Sequence, residues 1–126
     1  MDRAEAVEGS EDKAAATYAA RHQSFFRSVN EQIEDKNQEF DVVPEYAAFV
    51  CECADDSCME RISLTLSEYE DLRRCATHFV VLPGHLSLEF ERIVERREGY
   101  MVVEKFGEAG KQALRLDPRR ALLRLA

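Results

Sequence analysis

Three of the four cysteines in this chain fall within eight residues, Cys51-Glu52-Cys53-Ala54-Asp55-Asp56-Ser57-Cys58. No other stretch restricts the fold as much. In an extended strand, residues i and i+2 face the same way, so Cys51 and Cys53 present two sulfurs on one face. Ala54-Asp55-Asp56-Ser57 is turn chemistry that lets Cys58 fold back toward them. Such a loop suits a knuckle that closes on an ion. Structural zinc takes four tetrahedral ligands drawn from Cys and His, so zinc is the expected cofactor. The C-x-C-x4-C spacing is not the common C-x2-C ribbon spacing, and one knuckle stands alone. Free thiols in a loop, or a redox pair, therefore remain open readings.

A fourth ligand must come from elsewhere in the chain. His85 is the first choice, because it follows Pro83-Gly84 and so sits on a tight turn at a strand end. His78 and Cys75 compete with it, and Cys75 reads equally well as a small buried hydrophobe in a short helix. His22 reads as a surface or face-lining residue of the first helix. The carboxylates Glu52, Asp55 and Asp56 read as a solvated loop rather than as catalytic acids.

At 126 residues the chain suits one domain. Its net charge of −8 argues against a protein that binds nucleic acid by neutralising phosphates, and against an anionic membrane surface. No apolar run approaches the roughly 20 residues of a membrane-spanning helix. The first residues are acidic and lack the apolar run of about 7–15 residues that a signal peptide carries. A cytoplasmic, reducing compartment is the expectation, with thiols free or on metal.

Residues 1–12 read as a disordered acidic lead-in, 13–43 as the N-terminal helix, 44–118 as a metal-binding α+β domain, and 119–126 as a basic tail. From about Asp12 to Phe40 there is no Pro or Gly. Phe26, Val29, Ile33 and Phe40 form a near-heptad stripe that Tyr18, His22 and Phe25 extend, which predicts one amphipathic helix. At about 1.5 Å per residue it would span about 40 Å, more than a small domain needs. That length suggests a helix lying across its own domain, or one pairing with a second copy.

Pro44 ends the helical stretch. Tyr46 to Cys53 reads as a strand. Met59 to Leu66 alternates, with Ile62, Leu64 and Leu66 on one face. The pair should form a hairpin around the cysteine loop. Ser67-Glu68-Tyr69-Glu70 reads as a capping box opening a helix to about Cys75. Phe79 to Leu82 reads as a short strand. Residues 91–97 and 100–106 read as a hairpin about Glu98-Gly99, with a helix over 87–97 as the alternative. Gly107 and Gly110 loosen the chain before a short helix within 111–120, broken at Asp117-Pro118. The fold class is α+β: a long N-terminal helix, a small mostly antiparallel sheet, one or two short helices and a metal knuckle.

Phe49-Val50-Cys51-Glu52-Cys53 with Cys58, Ser67-Glu68-Tyr69-Glu70, Phe79 through Pro83-Gly84-His85, and Gly99-Tyr100 through Lys105 resemble a group of small, uncharacterised bacterial proteins. Phe26 to Glu31 looks like the N-terminal helix of that group, and the likeness covers about residues 24–118. The resemblance implies a zinc-binding set of Cys51, Cys53, Cys58 and His85, without Cys75. It implies no activity.

The function expected from these readings is a non-enzymatic, zinc-stabilised interaction or regulatory module. Its partner would be a protein, or a second copy, meeting the N-terminal helix; no membrane is expected and nucleic acid is disfavoured. A metal-dependent hydrolase is the alternative, which needs an open coordination position and a general base such as Glu52 or Asp55. A nucleic-acid-binding zinc domain is the weakest reading, and it needs Arg61, Arg73, Arg74 and the C-terminal arginines on one face.

Overall fold

The computed structural model describes residues 2–39, 46–55 and 57–119, with side chains of the first helix described from Lys13 to Asn37. Phe40, Pro44, Asp56 and the tail beyond Arg119 lie outside the described residues. Helix α1 spans Asp2–Glu39. It takes in residues 2–12, read above as a disordered lead-in, as a continuation of the same Ala- and Glu-rich helical composition. Strand β1 is Ala47–Val50 and strand β2 is Arg61–Leu64. Helix α2 is Leu66–Arg73, and strand β3 is His78–Val81. The last three elements are β4 (Glu91–Arg97), β5 (Tyr100–Lys105) and α3 (Gly107–Arg115). The α+β class holds, with one refinement. Among the described residues there are two antiparallel sheets, β1-β2 and β3-β5-β4, where one was expected.

The expected hairpin around the cysteine loop forms, with Phe49 opposite Ile62 and Val50 opposite Arg61. Residues 91–105 also form the expected hairpin, and the helical alternative over 87–97 falls. Its attraction had a cause. The register slips between Ile93 and Glu95, which makes Val94 an extra, bulged residue and breaks the period-two pattern. Phe79, Val80 and Val81 are buried in succession, as befits a strand covered on both faces. They join Phe49, Leu64, Tyr69 and Val103 in one core, where Phe49 and Tyr69 stack 4.5 Å apart.

Three local expectations need correction. The capping box is Thr65 with Glu68, two residues earlier than read: the Thr65 hydroxyl accepts from the Glu68 N–H, and the Glu68 carboxylate accepts from the Thr65 N–H. Thr-x-x-Glu and Ser-x-x-Glu overlap here, and the last strand residue, Leu64, decides between them. Gly110 does not loosen the chain but lies inside α3. A Cβ there would meet the Lys105 carbonyl oxygen at 2.9 Å, so its absence lets α3 sit against the end of β5. Cys75 is exposed, not a buried hydrophobe.

The largest correction concerns α1. Tyr18 and Phe25 are 61% and 64% exposed, whereas Ala16, Ala20, Gln23, Arg27, Asn30 and Glu34 face inward. That set advances by four and three residues in turn, a true helical stripe, but its second half is polar. Of the predicted apolar stripe, Phe26 is buried and Val29 and Ile33 are half-buried. The buried polar side chains have partners across the domain. Arg27 Nη1 donates to the Ala76 carbonyl at 2.6 Å and Nη2 to that of His78, while its guanidinium carbon lies 3.6 Å from the Phe79 ring centre. Burial pulls the Arg27 pKa down to about 10. Gln23 Nε2 donates to Glu91 Oε2 at 2.5 Å, and Glu91 also pairs with buried Lys105 at 3.3 Å.

Near the C-terminal end of α1, Arg73 pairs with Glu31 at 2.6 Å and Asp117 at 2.5 Å. Arg119 pairs with Glu31 at 2.8 Å and Glu70 at 2.6 Å. Glu34 stands 3.4 Å from the same guanidinium, farther than its rivals. Burial, reinforced by a hydrogen bond to Glu70, pushes the Glu34 carboxyl up to about 8. The bond from Arg119 holds Glu70 down at about 2. Glu34 is therefore the proton-bearing member of the pair.

Two predictions follow from this architecture. Thr65→Ala should lower stability by about 1 kcal/mol in urea melts, while Ser67→Ala should change it by less than about 0.5 kcal/mol. The opposite ranking would return the cap to Ser67. The second concerns pH. Between about 4.5 and 8 the folded chain keeps a proton on Glu34 that the unfolded chain has released, so Glu34 costs stability as pH rises through that window. Glu34→Gln removes the titrating proton at this site. Its Tm should exceed that of the wild type by about 5 °C at pH 8 and converge on it near pH 5. Parallel Tm curves across the window would show that Glu34 is ionised throughout.

Candidate metal centre

The knuckle is built by local bonds. After Val50, the Cys51 N–H donates to the Glu60 carbonyl at 2.9 Å and the Glu52 N–H to the Val80 carbonyl at 2.8 Å. Cys51 and Glu52 thus lie between the two sheets. Asp55 then turns the chain: its carboxylate accepts from the Ser57 N–H at 2.9 Å and hydroxyl at 2.7 Å, and its carbonyl accepts from the Cys58 N–H at 3.1 Å. This is the Asx-type turn that Asp and Ser favour. It returns Cys58 to the face occupied by the other two sulfurs.

His85 arrives from the far side. Gly84 has φ +87°, and the His85 N–H donates to the Leu82 carbonyl at 3.0 Å. Pro83 followed by a positive-φ Gly84 inside that bond has the signature of a type II turn. The turn brings His85 Nδ1 to 3.7 Å from Cys51 Sγ and 3.6 Å from Cys58 Sγ. The four ligand atoms of Cys51, Cys53, Cys58 and His85 all lie within 4.8 Å of one another. All three cysteines are buried and His85 is half-buried. This is a buried Cys3His group that could hold a metal ion.

Backbone groups also meet the sulfurs. The Leu82 N–H points at Cys51 Sγ from 3.3 Å, and Cys53 Sγ lies 3.9 Å from the Asp55 carbonyl oxygen. The hydrogen bond from Cys51 draws the Cys53 thiol down to about 5, so Cys53 is the sulfur that ionises first. The same bond, with burial, pushes Cys51 up. Burial also raises Cys58. Metal ligation needs thiolates, and the cluster already favours one. An open cleft of about 400 Å³ borders the group, lined by Cys53, Ala54, Asp55, Gly84, His85, Leu86 and Ser87.

The rival ligands are elsewhere. His78 Nε2 meets Glu104 Oε2 at 3.1 Å on the β3-β5 ladder, and Cys75 is exposed just beyond α2. His22 lies on α1 against the Phe26 ring, 4.8 Å away.

Glu52 is the residue that sequence reading misplaced. It is not part of a solvated loop; its exposure is 0%. Its Oε1 accepts from the Val80 N–H at 3.1 Å and its Oε2 from Asn30 Nδ2 at 2.8 Å, while its carbonyl accepts from Gln23 Nε2 at 2.9 Å. Asn30 also brackets Val50, donating to its carbonyl at 2.9 Å and accepting from its N–H at 2.7 Å. Burial pushes the Glu52 carboxyl up, against the opposing field of Arg27 and the bonds from Asn30 and Val80. A signal was present in the sequence. In a strand with sulfurs at 51 and 53 on one face, residue 52 points to the opposite face, away from the ligand set.

Among the described residues, several of the arginines named for a basic face are engaged with acidic or carbonyl partners. Arg73 is buried between Glu31 and Asp117, and Arg119 is ion-paired to Glu31 and Glu70. Arg61 donates to the Ala48 carbonyl, and Arg74 pairs with Asp71.

Fold and site together define an α+β domain with a Cys3His group able to hold a metal ion. No family model matches the chain, no curated protein matches it, and no solved structure matches it. Of the expected zinc-binding pattern, the structure shows three cysteines and a histidine close enough together to hold a metal ion. No helix among the described residues is long and apolar enough to cross a membrane.

Replacing Glu52 should reveal its burial. Glu52→Ala orphans the Val80 N–H and removes one Asn30 partner, so it should cost about 2–4 kcal/mol in urea unfolding. A loss under about 0.5 kcal/mol, the value of an exposed loop carboxylate, would contradict this placement.

Proposed function

We propose that this chain is a non-enzymatic, zinc-stabilised interaction or regulatory module, with Cys51, Cys53, Cys58 and His85 as the zinc ligands. The observation that carries the reading is the spacing of the donors. Zn–S bonds of about 2.3 Å and Zn–N bonds of about 2.0–2.1 Å at tetrahedral angles separate neighbouring S and N by about 3.5–3.6 Å. His85 Nδ1 lies 3.7 Å from Cys51 Sγ and 3.6 Å from Cys58 Sγ. Three soft thiolates with one imidazole select zinc over oxygen-seeking cations. When bound, zinc would supply cross-linking, because the free energy of binding becomes free energy of folding.

Four protein donors make a closed set, which weighs against a hydrolase with water on the metal. Of the carboxylates named as a base, Glu52 is buried and bonded to Asn30 and Val80, and Asp55 Oδ1 accepts from Ser57. A role through contact is favoured instead. Its surface is the outward face of α1, where Tyr18 and Phe25 stand exposed in an acidic, charged helix. A protein partner, or a second copy of the chain, would meet that face.

The test is metal content per chain on protein purified without added metal, for wild type, Cys53→Ser and His85→Ala. About one zinc per wild-type chain is expected, lost from both variants with a drop in Tm. A metal-free wild type with four titratable thiols would overturn the reading. Zinc retained in His85→Ala would remove His85 from the ligand set.

A further inference from the structure

We propose that occupancy of the Cys3His site controls the docking of α1, through Asn30 and Gln23 on the helix and Glu52 between the ligands. The proposal rests on the zinc reading above and adds to it a coupling that the ligands alone do not imply.

The coupling follows from how α1 is attached. Its inward side chains around the knuckle are polar, and they bind the backbone that carries the ligands. Asn30 holds both the N–H and the carbonyl of Val50, next to Cys51, and reaches Glu52 Oε2. Gln23 holds the Glu52 carbonyl, between Cys51 and Cys53. Both side chains are fully buried. Hydrogen bonds weaken steeply with distance and angle, whereas apolar contact has no direction and tolerates a shift. α1 offers little apolar contact as a reserve: its inward positions before Gln23 are Ala16, Ala19 and Ala20, Phe26 is its one large buried apolar side chain among those described, and Ile33 is only partly buried against the core.

An ion fixes the 51–58 loop against the His85 turn. Without it, only weak sulfur contacts, such as those of Cys51 and Cys58 with His85 Nδ1 at 3.7 and 3.6 Å, hold the four donors within 4.8 Å of one another. A relaxed loop moves Val50 and Glu52 away from their partners on α1. Asn30 and Gln23 are then left buried and unpaired, a state that polar groups escape by reaching water. α1 reaches water by opening. The β3-β5-β4 sheet does not depend on the knuckle for its own pairing. The opening is therefore local to α1 and the knuckle, not a loss of the fold.

Linkage makes the effect reciprocal: if zinc favours docked α1, docked α1 favours zinc. Residues that never touch the ion should then tune its affinity. Groups one shell behind metal ligands commonly change affinity 10- to 100-fold when removed.

Two measurements on the full chain test this. Residue-resolved hydrogen exchange compares zinc-loaded wild type with protein stripped by EDTA. The α1 amides over 16–30 should lose at least about tenfold in protection while those of β3 and β5 keep theirs. Competition titration with a zinc-chelating dye then compares wild type with Asn30→Ala and Gln23→Ala, and each variant should bind zinc about tenfold more weakly at unchanged stoichiometry. Unchanged α1 protection on stripping, or loss of β3 and β5 protection along with α1, overturns the latch and leaves the zinc site standing. Equal zinc affinity in both variants does the same. A wild type that binds no zinc overturns the site and the latch together.

Discussion

The rest of the structure depends on one buried carboxylate. Glu52 sits between two metal-ligand candidates and has no exposure, yet every polar group it carries is used. Its N–H and Oε1 engage Val80 on β3, and its carbonyl and Oε2 engage Gln23 and Asn30 on α1. A buried, unpartnered carboxylate would cost several kcal/mol. Here the bonds from Asn30 and Val80 and the field of Arg27 oppose that cost. Because those partners come from α1 and β3, the carboxylate is satisfied only when helix, strand and knuckle are all in place.

The same logic recurs around α1. Lys105 and Glu91 form a fully buried pair that Gln23 joins, and Arg73 lies buried between Glu31 and Asp117. A charged content of 33% reads from the sequence as a heavily charged surface, yet several of those charges lie inside. Breaking one such pair strands the other charge, at about 3–5 kcal/mol. These sites therefore discriminate between registers of α1 on the domain, since a helix slipped by one residue would take Glu31 from Arg73 and Gln23 from Glu91.

These interior charges also mark where the sequence stops being legible. The strands could be read because alternation and β-branched runs report burial directly, as at Ile62, Leu64 and Val80. Pro83-Gly84 announced the turn that aims His85, and the cysteine spacing announced the three sulfurs. The buried face of α1 could not be read that way. Hydropathy assigns Phe25 to the core and Arg27 to solvent, and the reverse holds, because Arg27 covers the Phe79 ring and caps two carbonyls. Such a residue is inside for what its partner needs, and the partner lies about fifty positions along the chain. The bulge at Val94 and the cap at Thr65 were obscure for a smaller reason: each depends on where a strand ends or slips, and overlapping local patterns do not fix that.

The placement of the candidate metal centre makes sense once the two sheets are considered together. β1-β2 and β3-β5-β4 share no continuous ladder. Beyond the Glu52–Val80 bonds, the next residues along the seam are Cys51 facing the Leu82 N–H, then the His85 turn facing Cys51 and Cys58. Strand pairing therefore stops where the ligand set begins. An ion held by Cys51, Cys53 and Cys58 from one sheet's loop and by His85 from the other sheet's turn would carry the joint onward where hydrogen bonds no longer do. A domain with a separate two-stranded sheet needs such a link, because a lone hairpin is at best marginally stable in water. The ligands lie at the one seam where a cross-link holds both sheets and, through Glu52, the helix as well.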